Sequence, residues 1–299
     1  MMNVLVTGSN GFIGSQLAEY LESKEYYVWK LDRQFHSQMQ NQLCIDISQK
    51  IEFGAISNMR FDAIVHCAAQ TDVRKSVEDP TLDLMSNGLG TLNLIEFAAQ
   101  TGIANFIYIN SGGAIYGNEE LPLSEKSFIA PSSPYGLSKF VGEEYVRILA
   151  AKFGIKWSSL ALSNVYGDVA KNKKGVIYEF SKSLQMNKTP VIYGKEITRD
   201  FIYIDDVISA IEKSLISSTH CRVNISSNVE TSIYEIYDLV AGQLNSEIKP
   251  EIKSPRFGEI MRSKLDNSLA REKLDWQPLV PVVEGVKISL ANVDQLGED

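Results

Sequence analysis

Tyr135 and Lys139 stand four residues apart in the run Ser133-Pro134-Tyr135-Gly136-Leu137-Ser138-Lys139. Serine, then proline, then helix-forming residues is the pattern of an N-cap with proline at the first helical position, where a missing N–H costs nothing. The run predicts a long helix from Pro134 to about Phe153, with Tyr135 in its first turn and Lys139 on the same face. A phenol of ordinary pKa, about 10, is a poor base at neutral pH, but an ammonium group a few ångströms away stabilises the phenolate and lowers that value. The pair is therefore a candidate for taking a proton from an alcohol. Surface helices carry such pairs by chance, so the chemistry needs support from elsewhere in the chain.

That support must come from the elements around the helix. Asn105-Phe106-Ile107-Tyr108-Ile109 reads as a strand that delivers Asn110-Ser111-Gly112-Gly113-Ala114-Ile115-Tyr116-Gly117 at its carboxyl end. In an open parallel sheet ligands bind at that end. Ser111 is placed to hydrogen-bond the same alcohol that Tyr135 would deprotonate. A turn serine bonding its own backbone is the competing explanation.

The chain opens on a strand, Asn3–Thr7, that runs into Gly8-Ser9-Asn10-Gly11-Phe12-Ile13-Gly14 and then a helical pattern through Leu17, Ala18 and Leu21. Gly8 allows the tight turn, Gly11 lets backbone approach a pyrophosphate, and Gly14 lets helix and strand pack closely. The phosphates would sit on the helix N-terminus, where unpaired N–H groups and the helix dipole favour negative charge. A second strand, Tyr27–Leu31, ends at Asp32, at the distance where a carboxylate holds the adenine ribose hydroxyls. A carboxylate there repels a 2′-phosphate, which favours NAD over NADP, although Arg33 adjoins it. Leu43–Ile47 reads as a third strand with Asp46 and Ile47 bordering the adenine, and Phe61–His66 as a fourth leading into Cys67-Ala68-Ala69-Gln70. Small residues there suit backbone close to a cofactor, and core packing would suit them equally. A helix is expected from about Pro80 to Gln100. Its apolar face is interrupted by Asn87 and Thr91, whose polarity needs a partner such as a strand-edge backbone.

Acidic residues outnumber basic ones, 37 to 29, in a chain of 299 residues, so no broad positive surface is available for nucleic acid. The N-terminus lacks a basic leader, and no apolar run approaches membrane-spanning length, so the expected location is cytoplasmic. Cys44, Cys67 and Cys221 are odd in number and scattered through apolar sequence, as reduced core thiols are. His36, His66 and His220 are equally scattered, and no metal site is expected.

Taken together, GSNGFIGS, Asp32, HCAAQTDVRKSVEDP, SNGLGTLNLIE, NSGGAIYG, SPYGLSK, LSNVYG, TRDFIYIDDV and RFGEIMRSKLD resemble the extended short-chain dehydrogenases/reductases of the NAD-dependent epimerase/dehydratase family, UDP-glucose 4-epimerase type, over nearly the whole chain. The resemblance implies an α/β fold: a Rossmann-type doubly wound parallel sheet with a smaller, discontinuous C-terminal substrate domain. Residues 1–166 would bind NAD, 167–299 would mainly hold a nucleotide sugar, and about 196–226 would return to the first domain. It implies Tyr135 as base, Lys139 as the group that binds the nicotinamide ribose and lowers the phenol pKa, and Ser111 as hydroxyl partner. Cofactor contacts would be Gly8, Asn10, Gly11, Phe12, Ile13, Asp32, Asp46, Ile47, Ala68, Ala69, Gln70, Asn87, Tyr135 and Lys139. Substrate contacts would be Thr71, Ser111, Gly112, Asn164, Arg199, Arg256 and Glu259, the arginines holding phosphates and ribose through their paired donors.

Two departures stand out. Gly112-Gly113-Ala114 carries an extra residue relative to the Ser-Ser-Ala-x-Val-Tyr-Gly form, so the serine assignment depends on where the insertion falls, and Thr71 stands where some epimerases have lysine. The implied reaction is 4-epimerisation through a transient 4-keto sugar. The alternatives are an NAD(P)H-dependent reductase of a 4-keto-6-deoxy sugar nucleotide and a catalytically silent NAD-binding protein. Dehydratases and decarboxylases need an acidic residue just after the catalytic hydroxyl, and Gly112, Gly113 and Ala114 offer none. Relatives pair two long helices per subunit, so a homodimer through about 80–100 and 134–153 is expected.

Overall fold

The computed structural model describes residues 1–35, 40–50, 56, 59–117, 119–172, 174–256 and 260–291. Seven strands make one parallel sheet: β1 (Asn3–Thr7), β2 (Tyr27–Asp32), β3 (Gln42–Cys44), β4 (Ala63–His66), β5 (Asn105–Ser111), β6 (Lys156–Leu162) and, much later in the chain, Arg222–Ile225. The spatial order is β3, β2, β1, β4, β5, β6, then Arg222–Ile225. Strand order reverses between β1 and β4, and a ligand crevice is expected beyond the carboxyl ends at that switch.

Alternation along each strand supplies two cores. Val4, Val6, Ala63, Val65, Ile107 and Ile109 face one side, and Leu5, Ile64, Phe106 and Tyr108 face the other. Strands buried on both faces must be apolar at successive positions, which is why these segments read as continuous hydrophobic runs. The second core is covered by residues 90–101 and the Pro134–Phe153 helix, which pack side by side over it, while the helix after the glycine turn packs on the first core through Leu17, Ala18 and Leu21.

The expected Pro134–Phe153 helix is present with those bounds; Ser133 Oγ accepts from Gly136 N at 3.1 Å, and Gly154 ends it at φ 69°. The expected 80–100 helix is interrupted. Pro80–Leu84 and Gly90–Thr101 are α-helical, and Met85–Leu89 between them is a wider turn. Thr91 Oγ1 donates to Asn87 O at 2.5 Å, a back-bond of the kind that distorts a helix.

The third strand is shorter than its sequence suggested, so Asp46 and Ile47 lie in the turn beyond it. Cys44 ends this edge strand and is exposed, which corrects the expectation of a core thiol; Cys67 and Cys221 are half-buried, and all three are free. Within the 196–226 segment expected to return to the first domain, Thr198–Tyr203 pairs with Asn164–Tyr166 and Glu230–Ser232 in a three-stranded sheet. The return begins at Ile204, with the helix Ile204–Ile216 and then Arg222–Ile225. The first core runs without a break into the C-terminal helices through Tyr178, Phe180, Ile236, Tyr237 and Val286, so the C-terminal part shares the sheet's core.

Candidate active site

The glycine-rich turn feeds α1 (Phe12–Ser23), whose N-cap Gly11 has no side-chain cap. The first amides of this helix therefore face outward, as an anion site requires. Gly8 has φ +66°, and a Cβ there would lie 2.6 Å from the Ala68 backbone; a Cβ on Gly14 would lie 2.2 Å from Gly8 O. Turn, helix and the segment after β4 touch at distances only glycine permits. Ser9 Oγ is buried with no partner in the turn. Asp32 closes the far side: its Oδ2 accepts from Asn10 N at 2.9 Å and its Oδ1 from Arg33 N at 2.8 Å. Phe12 and Ile13 open the helix half-buried, Phe12 against Gly167. These features fit a dinucleotide, with the pyrophosphate on the turn and a ribose at Asp32. Asp46 instead caps its own loop, accepting from Ser48 N and Oγ, and Ile47 is buried against Gly90.

Tyr135 is partly buried and sits beside Ser111, the last residue of β5. Burial raises the phenol pKa, the Ser111 side chain pulls it down, and the Asp83 carboxylate pushes it up. This reverses the lowering by Lys139 that the spacing predicted. Lys139 is 3% exposed. Its Nζ donates to Ile109 O at 2.7 Å and lies 4.3 Å from the Tyr108 ring centroid. Burial brings its pKa down to about 7, against the opposing pull of Cys67, Asp83 and Glu143.

A Cβ on Gly112 would lie 2.5 Å from Leu265 Cδ1 and 3.1 Å from Ala161 O, so a side chain there would have to displace its neighbours. The inserted glycines thus leave Ser111, rather than a later residue, as the hydroxyl facing the phenol. A Cβ on Gly113 would lie 3.9 Å from Asn164 Oδ1. Asn164 lines a cleft of about 80 Å³ together with Asn172, Lys174 and Tyr178. The lysine-rich loop before the helix Val176–Gln185 had no assigned role in the sequence, and Asn172 and Lys174 are the residues missed there. A polar, cationic loop leading into a helix N-terminus was the available signal. Arg199 donates to Thr198 O and Ile260 O, and Arg256 stacks 3.8 Å over the Tyr193 ring. Thr71 is exposed, just before the N-cap Asp72 of the Val73–Glu78 helix. Glu259 lies outside the described residues.

Asn87 meets backbone as its polarity required, in the segment after β4 rather than at a strand edge: Oδ1 accepts from Gln70 N at 2.8 Å and Nδ2 donates to Gln70 O at 3.0 Å. Ala68 N donates to Thr7 Oγ1 at 3.3 Å, and Ala69 is half-buried beside it. Among the described residues no cluster of three or more metal-binding side chains exists, and no helix is long and apolar enough to cross a membrane.

Similarity to known proteins follows the same elements. A UDP-glucose 4-epimerase of Mycolicibacterium smegmatis is 35% identical over 301 residues, 95% of this chain and 96% of that protein. The crystal structure of UDP-glucose 4-epimerase from Thermotoga maritima with UDP-glucose superposes with a TM-score of 0.91 at 32% identity, covering 97% of each chain. The Thermus thermophilus UDP-glucose 4-epimerase complex with NAD gives 0.88 at 30% identity, covering 99% of this chain and 100% of that one. Residues 4–225 match the NAD dependent epimerase/dehydratase family. That span holds the glycine-rich turn, the whole parallel sheet and the Tyr135 helix, and by it this chain belongs to the NAD-dependent epimerase/dehydratase family.

Proposed function

We propose that this chain is an NAD-dependent nucleotide-sugar 4-epimerase acting on UDP-hexoses. The observation that carries the reading is the meeting of Tyr135 and Ser111 at the carboxyl end of β5, beside the uncapped glycine-rich turn. The names of the relatives and of the superposed structures support the UDP-hexose class.

NAD, when bound, supplies the acceptor and then the donor of the hydride at sugar C4. Gly8, Asn10, Gly11, Phe12, Ile13 and Asp32 would hold it, with Ala68, Ala69, Gln70, Asn87 and Lys139 on the nicotinamide side. Tyr135 takes the proton of the sugar 4-hydroxyl, and Ser111 holds that oxygen in line with the phenol. Loss of the proton and a hydride together leaves a 4-keto sugar. After the sugar turns over, the hydride would return to the opposite face of C4 while the phenol gives its proton back to O4, so no net oxidation occurs. Asn164, Arg199, Arg256 and the cleft residues Asn172 and Lys174 would hold the diphosphate, with Thr71 and Gly112 toward the sugar. Because burial raises Tyr135, the cation Lys139 must lie within reach of the phenol for it to act as base near neutral pH.

Exposed apolar side chains on the paired helices, Leu84, Leu89, Leu137, Tyr145 and Ile148, support a homodimer through this face. Three free thiols suit a cytoplasmic setting. The test is conversion of UDP-galactose to UDP-glucose by purified protein without added cofactor. A stoichiometric demand for NADH or NADPH with a 4-keto-6-deoxy sugar nucleotide would transfer the assignment to a reductase.

A further inference from the structure

Asp83 is a carboxylate 1% exposed, on the short helix Pro80–Leu84, and no ion pair reaches it among the described residues. Burying a charge unpaired is costly unless hydrogen bonds hold it. Three donors do. Gln70 Nε2 reaches Oδ1 at 2.9 Å, Asn87 Nδ2 reaches Oδ1 at 3.2 Å, and Ser138 Oγ donates to Oδ2 at 2.5 Å. Each donor stands on a different part of the site. Gln70 follows β4 at the edge of the ligand crevice, and its own carboxamide grips Asp72 N and O. Asn87 is in the wide turn and bonds the Gln70 backbone. Ser138 lies between Tyr135 and Lys139, its Oγ 3.0 Å from Tyr135 O, and it also accepts from Asn87 Nδ2 at 3.1 Å.

We propose that Asp83 is a positioning residue for the tyrosine chemistry: its carboxylate ties the first turn of the Tyr135 helix to the loop after β4 and sets the negative field beside the phenol. The proposal rests on the reading of Tyr135 as the base. A neutral amide or an apolar contact would join two helices without the cost of a buried charge, so a full carboxylate points to an electrostatic task. The groups that face the phenol and Lys139 are Asp83 from the short helix, Tyr108 and Ser111 from β5, His66 at the end of β4 and Cys67 after it, and Glu143 one turn along the same helix. Asp83 acts on both Tyr135 and Lys139 in the direction that favours the protonated form.

The experiment uses the full chain with its cofactor, in two variants. Asp83→Asn removes the charge and turns one acceptor into a donor facing donors. Its kcat is expected to fall about tenfold or more with KM for UDP-galactose within about twofold. The acid limb of its pH profile is expected to move down by on the order of one pH unit, because the carboxylate no longer disfavours the phenolate. Ser138→Ala keeps the charge and cuts only the tether, so kcat falls while the acid limb stays in place. Titration of Tyr135 by NMR of carbon-13-labelled tyrosine, assigned with Tyr135→Phe, reads the same shift without substrate. An Asp83→Asn protein with wild-type kcat and an unmoved titration overturns the proposal. If that variant does not fold, Ser138→Ala with wild-type kcat overturns it. A wild type inert toward UDP-hexoses whose phenol still responds to Asp83→Asn would sink the epimerase reading and leave the placement standing.

Discussion

At the scale of single residues, burial sets the protonation of the site. Tyr135 is raised and Lys139 is drawn down to about 7 by the same cause, loss of water around the charged form. With Tyr135 as proton acceptor, Tyr135→Phe is expected to lower kcat by about 10²–10⁴-fold, in steady-state assays, with KM little changed. A variant that keeps wild-type kcat would place the base elsewhere. His66 is the companion case: it is 1% exposed between Thr7 Oγ1 at 2.8 Å and Thr91 Oγ1 at 3.0 Å. Since Thr91 donates to Asn87 O, it must accept from His66 Nε2–H, which leaves Nδ1 to accept from Thr7. Burial, helped by the charge of Lys139, holds His66 well below its ordinary 6.5. The unfolded chain therefore binds a proton below pH 6.5 that the folded chain refuses. The stability is fully present above that pH and is lost as pH falls through the unfolded value, by up to about 1.4 kcal/mol per pH unit. Urea unfolding between pH 6.5 and 5.5 should show a shallower loss in His66→Gln than in wild type, and equal slopes would contradict a neutral buried imidazole.

At the scale of elements, the Pro134–Phe153 helix is held on two sides by buried carboxylates. Asp83 binds its start through Ser138, and Glu143, 2% exposed and part of the helix itself, anchors its middle to the sheet. Glu143 accepts from Asn110 Nδ2 and Ser159 Oγ, both at 2.6 Å, and forms a two-point ion pair with Arg222. Asn110 in turn accepts from Ser111 N at 2.8 Å, so the ion pair reaches Ser111 through one amide. Removing one member of such a pair leaves the other buried and uncompensated. Arg222→Ala is expected to cost about 3–5 kcal/mol in denaturant unfolding. A loss within the range of exposed pairs, under about 1 kcal/mol, would mean that water reaches Glu143. Gly136 marks the same tight fit: a Cβ there would lie 2.2 Å from Ala114 O.

At the scale of the molecule, one parallel sheet carries two cores, and its strand order reverses between β1 and β4, where a ligand crevice is expected. The helix pair over the second core leaves an apolar outer face, with Leu137 53% and Ile148 52% exposed. A second copy covering that face would bury side chains that otherwise stay in water. Light scattering of the wild type is expected to give twice the 33.3 kDa chain mass, and Leu137→Asp with Ile148→Asp to give one chain mass. A wild type that scatters as a single chain rejects the interface. Dimer loss should also lower thermal stability in a concentration-dependent way.

The sequence by itself determined what depends on neighbours within a turn or a strand. The Pro134–Phe153 helix with its serine cap, the Asn3–Thr7 strand into the glycine turn, and Asp32 at the end of β2 were legible because each is fixed by local spacing. Only the tertiary structure decided which distant groups meet. Asp83 and Ser138 are 55 residues apart, and Glu143 and Arg222 are 79 apart. The partner of the Lys139 ammonium is a carbonyl 30 residues upstream, which no helical periodicity specifies. Cys44 reads as apolar-strand sequence and is exposed because β3 lies at the sheet's edge, and edge or centre is set by strand order rather than by strand composition. Even the sign of the Tyr135 shift was a tertiary matter, because the fold supplied the desolvation that raises the phenol.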